Sequence, residues 1–492
     1  MKRHYWMLGI IMNVVAMSVA ATGAMAQVPA QTIAGKPTNV SLTIYNDNFA
    51  LVREDRPITL KVGTNYVTVE GVAAQIDPTS LSFKSLTSPQ DVVIREQNYR
   101  YDVMNPSVIL DKSIGQPVII RQVMETGKVR EVKGTLLSSN GGIVIRTDDG
   151  HVLLNPTGEI EVMRLPSGLM SKPSLLWKVD SSQAGKNNCE ISYITQGINW
   201  HADYVAVVNK DDNQADITGW VTLDNQSGTS YHNAELQLMA GNVRRVQNYR
   251  VYPMMAMGAV NAERAPAPQF QQQSFFEYHL YTLQNRTDIL NKETKQLTLM
   301  QANNVPVVKK YVYDGRRQWW QTYYDEGATP TPGQGYDTSN YHKVNVVLRL
   351  KNTKANHLGI PLPKGKIRLY KADNQGHLQF IGEDMIDHTP KDETLSLYVG
   401  DAFDIVGDYK RTNYQQLAPG LTEETFEITV KNHKDTPVNV SVVDHEWGTW
   451  EILQSSVKYE KKDAHTVEFP VEVPANGKTV VTYTVRTRWY VP

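Results

Sequence analysis

A single cysteine occurs among the 492 residues, so no disulfide can form within the chain and stability has to come from buried cores. Cys189 is far from any lipidation site near the N-terminus, and it alternates with Ile191 and Tyr193, which reads as a small buried side chain on a strand. Helical spacing is almost missing: apolar residues at i, i+3, i+4 and i+7 over several turns hardly occur beyond the N-terminal stretch, which excludes helical bundles and parallel α/β sheets. Charge of one sign is also missing. A net charge of −1 argues against a general nucleic-acid or anionic-membrane partner. No Gly-x-Ser-x-Gly elbow and no Gly-x-x-x-x-Gly-Lys-Ser/Thr loop is present, so neither a serine hydrolase of that type nor phosphate-loop nucleotide chemistry has a foothold.

One apolar run does occur, from Met7 to Ala21, behind Lys2 and Arg3 and ahead of Ala24-Met25-Ala26. Positive, apolar and small-residue regions in that order read as a secretory signal over residues 1–26, cut before Gln27. The run is short for a spanning helix, and no later run approaches it. The expected product is an exported protein with no transmembrane segment after cleavage, held in the periplasm or carried on to the surface.

Strand periodicity dominates the rest. Apolar residues take every second place in Val40-Ser41-Leu42-Thr43-Ile44-Tyr45, in Tyr66-Val67-Thr68-Val69 and in Ser80-Leu81-Ser82-Phe83. This is the pattern of half-buried antiparallel strands. Between Pro106 and Pro166 the runs shorten: Pro117–Arg121, Val132–Leu137, Gly142–Ile145, Val152–Leu154 and Ile160–Val162, with turn signals at Asn140-Gly141 and Asp149-Gly150. They predict a small SH3-like barrel with a structural or docking role, Gly134 marking a bend where a side chain would not fit. A clear sandwich pattern closes the chain, with Phe426, Ile428 and Val430, then Val438, Val440 and Val442, then Val467, Phe469 and Val471, then Val481, Tyr483 and Val485.

The expected fold is all-β: several immunoglobulin-like sandwiches in series plus the barrel, with few helices. The expected units are an N-terminal β-domain over 27–105, the barrel over 106–166, a central sandwich region over 167–418 with long loops near 252–273 and 325–341, and a C-terminal sandwich over 419–492. Three strands end in an apolar-x-Asn step, at Asn225, Asn352 and Asn432. Asn suits a strand exit because it tolerates left-handed backbone angles and bonds its own turn, so the recurrence supports the fold without requiring duplication.

Asn199-Trp200-His201-Ala202-Asp203-Tyr204, Gly219-Trp220-Val221, Asn233-Ala234-Glu235-Leu236 and Ala240-Gly241 are the first of a set of ordered motifs. Phe276–Tyr281, Tyr311-Val312-Tyr313-Asp314-Gly315, Ile360-Pro361-Leu362-Pro363, Phe380–Asp384, Gly400–Asp404, Asn432–Asp435 and Trp450–Leu453 continue it. Together, over roughly Cys189 to Trp489, they resemble an exported bacterial domain of unknown function shared with the mucoidy-inhibitor family. The resemblance implies a β-rich exported protein with no established enzymatic activity. The chain has its small barrel where that family carries a helical, coiled-coil-like segment, so the domain is implied and an effect on capsule is not.

Three groups of side chains could carry chemistry or binding. Asp384, Asp387 and His388, with Asp392 and Glu393 behind them, form the densest set of potential metal ligands, and Asp444-His445-Glu446 forms another. A metal-dependent hydrolase would need about three such groups converging around an open position. An extended Asp-His-Glu alternates faces, so its three side chains do not meet at one ion without a bend. Trp319 and Trp320, with Tyr323 and Tyr324, could form an aromatic platform for a sugar ring or a protein. The expected function is a non-catalytic envelope scaffold or binding module, with no cofactor and with an envelope protein or glycan as partner. A periplasmic metal hydrolase at Asp387 and His388 and a glycan-binding module at Trp319 and Trp320 are the alternatives.

Overall fold

The structure is a computed structural model that describes residues 31–101, 103–124, 127–166, 169, 171–241, 243–244, 270–316 and 341–490. The signal segment and the aromatic group at 319–324 lie outside these residues. So do most of the two expected loops, although Phe270–Phe275, whose first residues were expected in the first loop, is a strand paired with Tyr278–Leu283.

The chain is all-β; the described residues are 66% strand and 3% helix, in four sheets of 4, 5, 8 and 13 strands. Alternation explains the strands directly. Leu421–Asn432, for example, buries every second side chain from Thr422 to Asn432 and turns the others outward. Cys189 is fully buried on Gly185–Gln196, and burial pushes its thiol up to about 12.

The units do not follow one another in chain order. Ser174–Ser181 pairs with Val92–Arg100, register running from Ser174 opposite Arg100 to Ser181 opposite Val92, and also with Gly63–Glu70. Gly185–Gln196 pairs with Phe49–Leu60, and Tyr231–Ala240 lies parallel to Asn39–Tyr45. The N-terminal sheets are thus completed by strands from beyond residue 166, and the barrel is an insertion between two hydrogen-bonded neighbours. Strand pairing over such distances leaves no local pattern, so alternation reveals the strands but not whom they join.

The inserted unit is the expected five-stranded one. Pro117–Val123, Val129–Ser138, Val144–Thr147, Val152–Leu154 and Glu159–Val162 curl around Val118, Ile120, Leu136 and Ile145. A Cβ on Gly134 would stand 2.4 Å from the Arg146 carbonyl oxygen, so the close approach of the two strands needs glycine. A helix absent from the sequence reading, Pro106–Lys112, precedes the barrel. Asn105 caps it by accepting the Val108 N–H at 3.0 Å, with Pro106 at its first turn.

Two cores share three strands: Lys343–Lys351 places Val344 in the C-terminal sandwich and Leu348 and Leu350 in the large core, and two longer strands run the other way. Glu293–Asp314, of 22 residues, and Thr394–Ala418, of 25 residues, start in a large core and end in the C-terminal sandwich. Leu299, Val305, Leu395 and Leu397 belong to the first core, with Leu42, Trp200 and Tyr204; Tyr313 and Ile405 belong to the second, with Phe426, Phe469 and Tyr483. Between the eight-stranded sheet and the large sheet runs Ile360–Pro363, whose carbonyls at Pro361 and Pro363 accept the hydroxyls of Tyr281 and Tyr204 at 2.9 and 2.8 Å.

The recurring asparagines turn out to be buried hubs. Asn225, Asn352 and Asn432 are at most 1% exposed. Asn432 donates to the carbonyls of Thr436, Val473 and Pro474 at 2.9, 3.3 and 3.1 Å and accepts the Lys434 N–H at 3.0 Å. Asn225 repeats the scheme on Thr229, Ile289, Leu290 and Ser227, at the same offsets of two and four residues. Asn352 holds Gly359, Ile360 and Pro390 in a wider turn. Each amide satisfies the backbone of a strand exit and of the segment crossing it, in place of water that cannot enter. Asn432→Ala is expected to lower the stability of the C-terminal sandwich by about 3 kcal/mol, since each buried group left unmade costs roughly 1–3 kcal/mol; urea unfolding followed by tryptophan fluorescence measures it.

Candidate functional site

The C-terminal sandwich buries charge at one end. On Val438–His445 the inward side chains Val438, Val440 and Val442 are followed on the same face by Asp444, and Glu446, two residues on, joins it. His445 takes the opposite face, as alternation requires. Its Nε2 lies 3.4 Å from Asp314 Oδ2, and its Nδ1 lies 3.3 Å from the Thr466 hydroxyl. Burial works against the imidazolium, but the hydrogen bond and charge of Asp314 outweigh it and raise the pKa of His445 above its ordinary value.

Asp444 and Glu446 are 0% and 1% exposed, and both meet the guanidinium of Arg316, itself 16% exposed. Arg316 Nε is 2.7 Å from Asp444 Oδ1, and one terminal nitrogen is 2.8 Å from Glu446 Oε1. The guanidinium also donates to the hydroxyls of Tyr409 and Tyr483, at 2.6 and 3.3 Å, and lies 4.6 Å from the Phe426 ring centre. Tyr409 donates to Asp444 Oδ2 at 3.1 Å; Tyr483 makes a short hydrogen bond to the same oxygen and sits 3.2 Å from Glu446 Oε1. Close by, Glu424 pairs with Arg411 at 2.7 Å.

Arg316 arrives from another unit. Tyr311–Asp314 runs parallel to Val440–Val443, so the next residues of that strand pass beside Asp444 and Glu446. Two glycines clear the way: a Cβ on Gly315 would lie 2.5 Å from Tyr409 Cβ, and one on Gly407 would lie 2.0 Å from the Tyr313 ring. Taking these ions out of water costs several kcal/mol each, and that cost is met only because both carboxylates, both phenols and the guanidinium are mutually bonded. Burial pushes Glu446 above the usual carboxylate range; Arg316 opposes this, while Asp444 and Glu424 add to it. Neither acid can meet a substrate unless the sandwich opens, so the arrangement works as a tie between two units. Sequence reading found Asp444 and Glu446 but missed Arg316, whose only signal was its place just after Tyr311–Gly315.

The other candidate ligands are placed differently. Asp384 accepts the N–H groups of Tyr398 and Met385 at 2.7 and 2.8 Å, fastening Leu378–Ile386 to Thr394–Ala418, and burial raises its pKa. Asp387 accepts the N–H of His388 at 2.8 Å. His388 accepts the Lys364 N–H on Nδ1 at 3.2 Å, its Nε2 is buried without a hydrogen-bond partner, and burial followed by Lys364 lowers its pKa. Asp392 and Glu393 flank Asn352, with Asp392 N–H donating to the Asn352 carbonyl at 2.7 Å and Asn352 N–H to the Glu393 carbonyl at 2.8 Å. The structure therefore does not gather Asp384, Asp387 and His388 into a ligand set, and among the described residues no three His, Cys, Asp or Glu side chains converge on one point. The physical reason is that the carboxylates of Asp384, on a strand, and of Asp387, just past its end, are each engaged by backbone N–H groups. Set against protein-family models and against curated proteins, the chain matches none.

Arg316→Ala should destabilise the C-terminal sandwich by about 3–5 kcal/mol, because it leaves two buried carboxylates without their cation. Chemical denaturation of the full chain checks this, and a loss under about 1 kcal/mol would show the tie to be idle.

Proposed function

We propose that this is an exported, non-catalytic protein of the cell envelope, a β-scaffold that carries its inserted barrel as a binding module for another envelope component. The observation behind the reading is the insertion itself. Residues 101–173 leave and rejoin the scaffold between Arg100 and Ser174, which are register partners, so the barrel is carried at the edge of a sheet that is complete without it. Its surface is unusually apolar for so small a unit: Val123, Val129, Val152, Leu154, Met163 and Leu165 are each more than half exposed. Val123 and Val129 are cross-strand partners, and exposed apolar surface marks interaction sites where it is contiguous.

The scaffold supports this role through strands that run from one core to the next and through buried ties such as Arg316, which hold the units as a frame. The N-terminal signal pattern and the resemblance of residues 189–489 to an exported domain support its location in the periplasm or at the surface. Among the described residues no helix is long and apolar enough to cross a membrane.

Replacing residues 101–173 by a short turn between Arg100 and Ser174 tests the proposal. The shortened chain is expected to keep its far-ultraviolet circular dichroism and cooperative melting, and to lose the partner that in-cell crosslinking attaches to the full chain. An unchanged crosslinking profile would contradict the barrel's role.

A further inference from the structure

We propose that Glu446 holds a proton beside the Asp444–Arg316 pair, so that the grip of the C-terminal sandwich on the end of strand Glu293–Asp314 is firm while the proton is kept and loosens when it is lost. The inference is independent of the binding role proposed for the barrel.

The geometry is that of two acids on one cation. Both carboxylates reach the same guanidinium, at 2.7 and 2.8 Å. Their other side-chain contacts are phenols: Tyr409 to Asp444 at 3.1 Å, and Tyr483 between the two, bonded to Asp444 and 3.2 Å from Glu446. Asp444 also accepts the His445 N–H at 2.8 Å. With both acids ionised, two negative charges face one positive charge where water is excluded. With Glu446 protonated the charges match, and two buried carboxylates set on one cation do not both ionise readily.

Among the described residues, the surrounding groups leave the mismatch in place. From the strand that delivers Arg316 comes Asp314, which faces His445 on the reverse side of Val438–His445 at 3.4 Å. Arg411 from Thr394–Ala418 is 2.7 Å from Glu424 of the neighbouring strand, so that cation stands against an acid of its own. On the loop below, Asp463 accepts the His465 N–H at 2.7 Å, and His465 in turn contacts the backbone carbonyl of Glu446 at 3.0 Å, away from the carboxyl.

The direction of the Glu446 shift agrees. Burial raises its pKa above the ordinary 4.5 in the folded chain, which means the folded state holds the proton more tightly than the unfolded one. The stabilisation is complete below the ordinary value and is lost as pH rises through the raised one. Because the strand carrying Arg316 belongs to both cores, the change loosens a joint and not only a surface.

Hydrogen exchange of the full chain, corrected for the intrinsic pH dependence of exchange, reads this directly. Between roughly pH 5 and pH 9, protection of Val438–His445 should fall by up to about tenfold per pH unit over part of the range, while Gly185–Gln196 in the other core changes little. In a His445→Gln background, which removes the raised titration of the imidazole on the same strand, Glu446→Gln should flatten the profile. A wild-type profile that is parallel in the two segments, or a Glu446→Gln variant that keeps the dependence of that background, would overturn the proposal. Should Glu446→Gln fail to fold, infrared spectroscopy of the wild type decides: a protonated-carboxyl band lost on raising pH supports the proton on Glu446, and its absence throughout overturns it.

Discussion

A guanidinium in an apolar sandwich has to find an acceptor on nearly every side, and the C-terminal half of this chain is arranged around that demand. Arg316 draws Asp444 and Glu446 from one strand end, Tyr409 from a second strand and Tyr483 from a third. None of these can shift without leaving a buried polar group unpaired, which is costlier than the net gain of forming the bond. Register is thereby set among strands that share little sequence neighbourhood. The glycines at 315 and 407 belong to the same constraint, since each gives up a side chain so that an aromatic ring can stand beside the incoming segment.

The same logic of borrowed strands runs through the molecule. The N-terminal sheets are closed by strands from beyond the barrel, and the C-terminal sandwich takes edges from two strands that begin in the other core. A bead-like series of domains would flex at each linker, whereas here the connections are themselves hydrogen-bonded strands. Buried asparagines at three strand exits fasten the turns in the same way that Arg316 fastens the joint. The result is a frame that carries one small inserted unit between the register partners Arg100 and Ser174.

What the sequence shows of this is the local part. Period-two alternation located the strands of the barrel and of the C-terminal sandwich, and Gly134 announced a place where a side chain would not fit, because burial on one face leaves a pattern that neighbouring residues carry. The alternation of Asp444, His445 and Glu446 also foretold that the two acids would share a face without His445. The helix at Pro106–Lys112 escaped notice because it is a single short segment beginning at Asn-Pro. The recurrence of Asn225, Asn352 and Asn432 was visible, but burial was not, since the carbonyls they hold lie as far as 65 residues along the chain. Arg316 was invisible for the same reason: its partner Glu446 is 130 residues away. Asp384, Asp387 and His388 drew attention by density alone, and density does not distinguish ligands from carboxylates engaged by backbone N–H groups.

The central claim is that the C-terminal sandwich is completed by strands and a charge from outside its own stretch of chain. Expressing residues 419–492 alone, and comparing their amide protection with that of the same segment in the full chain, tests it most directly. The account predicts that the isolated piece is unfolded or loosely packed, with Asp444 and Glu446 lacking Arg316. A stably folded piece with the protection it has in the full chain would contradict it.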